Sequence, residues 1–359
     1  MEKIRILDLG KIEPRRTQVV YHAVGYSMKE ETPNTIILVS PSSPYASVGY
    51  HQEVEKELDL EYCRSIDLPV YRREVGGGAV YLDDGQIFTQ WIFQPGILPS
   101  SIEERFKIYA QPLVETYKSF GINANLRPVN DIHVSGKKIG GTGAAEMGIS
   151  EIVVGSLMLD FNKKVMSQIL RVSSEKMRDK IYQSLEEYMT TMTEQLSKVP
   201  TREEIKKTYL EKCGEALNMD FYYGEWTDEE EEMAQKLDRR FESDEWLYHK
   251  TRRMESGIKI SEDVRIYESA LKAPGGLIRS MIRMKNGVID DATISGDFTV
   301  LPADTVSKIE AEIKGKKPDS GEIISSIKKV YEETGAESPG VGPEHIRDAV
   351  MQPFVEGSK

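Results

Sequence analysis

Cysteine is scarce in this chain. Cys63 and Cys213 are the two present in 359 residues. They lie far apart with no metal-type spacing, which favours free thiols over a disulfide. Two buried thiols in a protein of the reducing cytoplasm are expected. No apolar run approaches the ~18 residues of a membrane span, and the opening MEKIRILDLGKIEP lacks the apolar stretch of a secretory leader. Positive charge is not in excess either. A formal net charge of −12 disfavours general binding to a polyanion such as nucleic acid. Internal repeats and low-complexity tracts are absent, and so is the regular βαβ alternation of a dinucleotide-binding unit.

What is present is ordinary for a folded, somewhat charge-rich protein: 39% hydrophobic and 30% charged residues, in a chain long enough for two or three domains. Short apolar runs rich in Val, Ile, Tyr and Phe predict strands at Ile4–Leu9, Thr35–Val39, Tyr45–Tyr50, Val70–Arg73, Ala79–Leu82 and Phe88–Phe93. Helical spacing appears over Ser101–Phe120, with Gly121 past its end. Further strands are predicted at Ile132–Ser135, Lys138–Gly140 and Glu151–Leu159. From Asn162 to about Cys213 the pattern is helical, and Asp228–Glu232 reads as the acidic first turn of another helix. Met254–Ser261 reads as a domain boundary. Strands at Ile266–Leu271, Leu277–Lys285 and Val288–Ile294 then precede helices from about Ala303 and over Glu322–Thr334.

Two stretches carry chemistry. RREVGGGAVY (Arg72–Tyr81) sets three glycines behind two arginines, so backbone N–H groups can approach an anion that a Cβ would keep away. Strand alternation sends Arg72 and Arg73 to opposite faces, leaving one to point at the glycines. A plain tight turn would also satisfy GGG. The stretch is neither GxxxxGK[ST] nor a GxGxxG fingerprint. NDIHVSGKKIGG (Asn130–Gly141) is the second stretch. Alternation places one of Lys137 and Lys138 on the inner face of the sheet, where an ammonium needs a carboxylate or phosphate. Asp131 can supply that carboxylate or hold Mg²⁺. An exposed hairpin tip opened by an Asx-turn is the plainer alternative.

RREVGGGAVYLDDG resembles the RRxSGGGAVYHDxG signature of lipoate–protein ligases, and NDIHVSGKKIGGTGAAE resembles the ND…GKKxSGxA segment of the same family, in the same order. SPYASVGYHQ, VVGSLMLDFN and SSEKMRDK resemble its weaker blocks, over roughly residues 1–255. KAPGGLIRSMIRMKNGVIDDATISGDFTVLP (Lys272–Pro302) resembles the family's accessory domain, here fused. The GRGRxxR loop of biotin ligases is missing. The resemblance implies an α+β architecture: a mixed-sheet biotin/lipoyl ligase (class II synthetase-like) catalytic domain over 1–255, with a helical subdomain at about 162–245, followed by a small α+β accessory domain over 262–359.

The same resemblance implies activation of lipoate by ATP, with Mg²⁺, to lipoyl-AMP and transfer of the acyl group to a lysine of an acceptor protein. That acceptor would be a 2-oxoacid dehydrogenase lipoyl domain, an H-protein-like carrier or a dedicated lipoate-binding protein. Lys138 and Arg73 match the catalytic lysine and arginine. Gly76, Gly77, Gly78, Ala79, Val80 and Tyr81 match the nucleotide- and adenylate-binding turn and strand, and Asn130 and Asp131 the pair near phosphate and metal. Val75, Leu82, Gln86 and Gly140 depart from the family's Ser, His, Asn and Ser. Two rivals share the fold: a cysteine-dependent octanoyltransferase or lipoyl amidotransferase, and a non-catalytic paralogue that binds a lipoyl carrier. Neither Cys63 nor Cys213 falls just upstream of the lysine hairpin, where such a transferase keeps its nucleophile.

Overall fold

A computed structural model describes residues 3–250 and 264–356; the boundary expected at Met254–Ser261 lies outside the described residues. The chain opens with β1 (Lys3–Ile12), α1 (Pro14–Ser27), β2 (Thr35–Pro41), β3 (Tyr45–Val48), α2 (Val54–Glu57), α3 (Leu60–Ser65), β4 (Val70–Arg72), β5 (Val80–Leu82) and β6 (Gln86–Phe93). Then come α4 (Ile102–Ser119), β7 (Ala124–Arg127), β8 (Asp131–Val134), β9 (Lys137–Met147) and β10 (Ser150–Met158). A helical stretch follows: α5 (Lys163–Ile169), α6 (Glu175–Tyr188), α7 (Met192–Gln195), α8 (Arg202–Leu217), the strand β11 (Asp220–Tyr223), α9 (Asp228–Glu242) and α10 (Asp244–Leu247). The chain closes with β12 (Val264–Ala273), β13 (Gly276–Lys285), β14 (Val288–Gly296), α11 (Thr305–Ile313), α12 (Ser320–Thr334) and α13 (Pro343–Glu356).

These elements form two compact units. Among the described residues the first holds 3–47, 57–73 and 79–247, and the second 48–56, 74–78, 248–250 and 264–356. In the first, an eight-stranded sheet runs β11-β1-β2-β6-β10-β9-β8-β7. Strand β1 is parallel to β11 and β2, and the remaining pairs are antiparallel. Every residue of β2 (TIILVSP) and β6 (QIFTQWIF) is buried, which explains their near-continuous apolar runs. Helix α4 buries Phe106, Tyr109, Leu113 and Tyr117 on one stripe, as its helical spacing requires. A second sheet, β4-β3-β5, carries the ends of the arginine–glycine stretch.

In the second unit β12, β13 and β14 form an antiparallel meander. Ile278, Ile282, Ile289 and Ile294 from the sheet join Ile309, Ile323, Ile327 and Ile346 from the helices in one core. The protein is therefore α+β, a mixed-sheet unit and a smaller antiparallel-sheet unit with helices. No helix among the described residues is long and apolar enough to cross a membrane.

The strand expected at Lys138–Gly140 is much longer, Lys137–Met147. Pairing to β8 and to β10 holds Gly140, Gly141 and Gly143 extended. Strands β7 and β11 escaped prediction; ANLR and DFYY are four-residue edge segments, too short for alternation to be visible. The acidic run Asp228–Glu231 occupies the first turn of α9 behind a Thr227/Glu230 capping box, where negative charge favours the helix N-terminus.

Candidate active site

The two arginines part as strand alternation requires. Arg72 is wholly buried. Its guanidinium donates to the carbonyls of Trp246 and Leu247, and Trp246 Nε1 returns a hydrogen bond of 2.9 Å to the Arg72 carbonyl. That is a structural role. Arg73 takes the other face, where Nη1 donates to the carbonyl and the hydroxyl of Ser47, each at 3.3 Å. Burial pushes its pKa below the usual arginine value, and the neighbouring phenols of Tyr21 and Tyr45 act against that shift. Those phenols are fixed by a directed chain. Tyr21 OH donates to Gln18 Oε1 (3.2 Å), Gln18 Nε2 to Tyr45 OH (2.6 Å), Tyr45 OH bonds Thr17 Oγ1 (2.8 Å), and Thr17 Oγ1 donates to the Pro14 carbonyl (2.6 Å). A guanidinium taken out of water favours an anion of suitable geometry.

The lysine hairpin separates its two lysines likewise. Lys137 Nζ donates to the Glu186 carbonyl at the end of α6 (3.0 Å). Lys138 pairs with Asp131, Nζ to Oδ1 at 2.7 Å, and its side chain is 39% exposed. A register shift between Ile132 and His133 sets Lys138 opposite His133 and Asp131 opposite Gly141. A Cβ on Gly141 would lie 3.2 Å from Lys138 Nζ, so the glycine leaves the volume that the ammonium occupies. Asn130 is tied in by its neighbours: its amide donates to the Thr142 carbonyl, while Thr142 N donates to the Asn130 carbonyl at 2.9 Å.

Asp131, considered as a metal ligand, is thus engaged by Lys138. Among the described residues no group of three His, Cys, Asp or Glu side chains is arranged to hold a metal ion. A resident metal does not fit this donor set. A cation entering with a triphosphate, which keeps its own water and phosphate ligands, makes no such demand.

The triglycine belongs to the second unit, where Gly76 and Gly77 lie against backbone and a Cβ on Gly78 would be in ordinary contact with Asp297. Gly77 has φ +93°, a conformation costly for any residue with a side chain, and its N–H donates to the Phe298 carbonyl at 3.4 Å. A Cβ on Gly76 would lie 2.7 Å from that same oxygen, and one on Gly49 would lie 2.0 Å from the Gly77 carbonyl. Close backbone approach, expected toward an adenylate, is here made toward Asp297–Thr299, the end of the ISGDF stretch. Val75 is buried, and its carbonyl accepts from Tyr50 N at 3.1 Å. Ala79, Val80 and Tyr81 return to the first unit. There β5 pairs with β3, and burial with nearby Asp83 raises the Tyr81 phenol well above its ordinary value. Leu82 ends β5, and Gln86 is buried with its amide 3.5 Å from the Tyr81 carbonyl. A Cβ on Gly140 would lie 3.4 Å from the Ser156 carbonyl, an ordinary contact.

Both cysteines are sealed. Cys63 is 1% exposed and Cys213 fully buried. Burial, with Asp59 beside it, pushes the Cys63 thiol up to about 11, and burial raises Cys213 further. Sequence reasoning did not foresee the Thr17–Gln18–Tyr21–Tyr45 chain. Three polar or phenolic residues of α1, Thr17, Gln18 and Tyr21, were the available signal. A cavity of about 580 Å³ lined by Leu210, Met219, Phe221 and Tyr223 contains none of these groups.

Residues 19–214 match the family model described as the lipoyl protein ligase A/B catalytic domain, and residues 266–346 match the bacterial lipoate protein ligase C-terminus. The chain is 26% identical over 275 residues to an octanoyltransferase of Kyrpidia tusciae, covering 70% of this chain and 100% of that one. To lipoate–protein ligase 1 of Staphylococcus aureus it is 27% identical over 256 residues, 71% and 73% of the two chains. Among solved structures it is similar to the bipartite lipoate protein ligase of Thermoplasma acidophilum, reported with its E2 lipoyl domain. The TM-score is 0.64 at 25% identity, over 69% of this chain and 97% of that one.

Proposed function

Since the chain belongs to the lipoyl protein ligase A/B family, whose members include both ligases and octanoyltransferases, we propose that it is a lipoate–protein ligase that activates its acid with ATP. The condition of the two thiols carries this reading. A transferase that forms an acyl-enzyme needs a thiolate in a polar, partly exposed setting, and Cys63 and Cys213 are buried with raised pKa values. The Lys138–Asp131 pair and the desolvated Arg73 guanidinium supply the positive charge that adenylation requires instead.

In the first step a carboxylate oxygen of lipoate attacks the α-phosphorus of ATP. The P–O bond to the β-phosphate breaks, and pyrophosphate leaves. Two anions must meet, and an ammonium between them offsets their repulsion and stabilises charge building on the α-phosphate. Lys138 takes that part and Arg73 binds the acyl-phosphate oxygens, with Asn130 and Asp131 fixing the hairpin and Ala79–Tyr81 on the nucleotide side. In the second step the ε-amine of an acceptor lysine attacks the acyl carbon. The C–O bond to AMP breaks, an amide forms, and the amine proton is released. The acceptor is a lipoyl domain or a protein like it.

Lipoate-dependent ATP–pyrophosphate exchange tests this reading. A ligase exchanges label. A thiol-dependent transferase does not, and is inactivated by alkylation. A carrier-binding paralogue neither exchanges nor transfers. Absence of exchange from the intact protein with lipoate or octanoate overturns the proposal. A mass-shift assay against E2 lipoyl domains and an H-protein then identifies the acceptor.

A further inference from the structure

Lysine is almost never buried unless it is paired, and an ammonium in the first turn of a helix opposes the helix dipole. Lys163 is in both positions at once. It opens α5, and its side chain is 4% exposed. Its Nζ lies 2.6 Å from Glu194 Oε1 on α7 and 3.3 Å from Glu186 Oε2 near the end of α6. Burial works against the charge, yet Glu194 and Glu186 together hold the pKa above the ordinary lysine value. Replacing a buried ion pair by an apolar side chain of similar volume is often neutral or stabilising, so stability alone does not account for this ammonium. What it adds is direction, since carboxylates from two helices are drawn to one point.

Between those two carboxylates runs the segment that touches the strand of Lys138. Met189 forms a parallel bridge with Lys138, and Thr190 N donates to the Lys138 carbonyl at 2.8 Å. Thr190 is buried, and Gln195 Nε2 donates to its hydroxyl at 2.8 Å. The residues just ahead of Lys163 reach the nucleotide side. Leu159 N and Asp160 N both donate to the Gly85 carbonyl at 2.9 Å, in the turn from β5 to β6, and the Leu159 carbonyl accepts from Thr193 N at 3.0 Å. One short stretch thus joins the turn beyond Ala79–Tyr81 to the backbone of Lys138.

We infer that Lys163 is a positioning residue for adenylation: by holding Glu186 and Glu194 together it fixes the backbone at Met189 and Thr190, and through the Thr190–Lys138 hydrogen bond it fixes where the Lys138 ammonium stands. The inference rests on the ligase reading of the site. Lys138 and Asp131 are 39% and 34% exposed, so their own pairing restrains the ammonium weakly and the backbone anchor matters. A preorganised charge must be in place before the transition state forms, and a misplacement of about 1 Å costs up to ~10²-fold.

The test is lipoate-driven ATP–pyrophosphate exchange by the full chain. Lys163→Met keeps most of the volume and removes the charge. The carboxylates it leaves are 46% and 42% exposed and can turn to water. Its kcat falls about tenfold, while KM for ATP and for lipoate stays within about twofold. Lys138→Ala/Lys163→Met is no slower than Lys138→Ala, since both act through one ammonium. Lys206→Met is the control. Lys206 also bridges two carboxylates, Asp8 and Glu203, each at 2.6 Å, but Asp8 is on β1, with β2, β6 and β10 between it and β9. Its loss leaves kcat within about twofold. Glu194→Gln, which keeps the shape and removes one charge, lowers kcat about threefold and carries the test where Lys163→Met does not fold. An unchanged kcat in the folded variants, a loss confined to KM, an equal loss in Lys206→Met, or losses that multiply in the double variant overturns the positioning role, while exchange by the wild-type protein leaves the ligase reading standing. Absence of exchange from the wild type removes that reading and the inference with it.

Discussion

The lysine hairpin and the triglycine turn are both glycine-rich, and glycine does a different job in each. In the hairpin, Gly141 leaves room for a charged side chain, the Lys138 ammonium pairing with Asp131. In the turn, Gly76 and Gly77 leave room for backbone, the carbonyl of Phe298. One composition thus makes room for a side chain in one place and for backbone in the other. The distinction has a measurable consequence: substitutions in the hairpin should cost activity, and substitutions in the turn should cost stability.

The largest effect is expected at Lys138. Lys138→Ala should lower lipoate-driven pyrophosphate exchange by about 10²–10³-fold, the scale of removing one preorganised charge from a transition state. Its thermal midpoint should stay close to that of the wild type, because the side chain is 39% and Asp131 34% exposed, and a surface pair of this kind contributes ~1 kcal/mol or less. Exchange at the wild-type rate would break the catalytic half of the comparison.

Gly76→Ala probes the other half. The added Cβ meets a backbone oxygen at 2.7 Å, which no rotamer change can relieve, so a loss of about 1–3 kcal/mol is expected. Urea denaturation should show it. ATP binding, followed by calorimetry under conditions where the variant is folded, should change little. The opposite pattern, intact stability with lost ATP affinity, would return the turn to the role of a phosphate cradle.

How far the sequence could be read follows the same line. Periodicity exposes elements whose burial is one-sided or complete, so β2, β6 and α4 were legible. The division of labour between Arg72 and Arg73 followed from strand alternation, although which one is structural depended on Trp246 and Leu247, distant in sequence. What a glycine clears space for is invisible in one dimension: GGG at 76–78 and GG at 140–141 look alike until Phe298 and Lys138 are placed beside them. The hydrogen-bond chain behind Arg73 was hidden for a similar reason. It joins α1 to β3, and spacing within α1 says nothing of Tyr45. Family resemblance placed Lys138 and Arg73 by position in a motif, whereas their partners came from the fold.

A smaller effect is expected at Gly141. Gly141→Ala would set a methyl 3.2 Å from Lys138 Nζ. The crowded atom is the tip of a flexible side chain, so the ammonium can move aside by a few tenths of an ångström. Exchange should fall several-fold, within the ~1 kcal/mol that a slightly displaced charge implies, while the urea midpoint holds. Lys138→Ala/Gly141→Ala should be no worse than Lys138→Ala alone, since both act through one ammonium. Additive losses would mean that Gly141 serves backbone packing, as Gly76 does, and would blur the contrast between the two regions.

The smallest effect is expected at the thiols, and it separates adenylation from acyl-thioester chemistry. With Cys63 pushed up to about 11, only about one molecule in a thousand carries that thiolate at pH 8, and the fraction grows tenfold per pH unit until the pKa is reached. An enzyme using Cys63 as nucleophile would therefore accelerate steeply with alkaline pH and stop on Cys63→Ser. A ligase should do neither. Cys63→Ser and Cys213→Ser should keep exchange and transfer within about twofold of wild type where they remain folded, the remaining cost being that of burying a hydroxyl in place of a thiol, about 1–3 kcal/mol of stability. A transfer rate that follows the thiolate fraction in the intact protein and vanishes in Cys63→Ser would place this chain with the octanoyltransferases of its family. The Lys138–Asp131 pair would then have to be understood without adenylation.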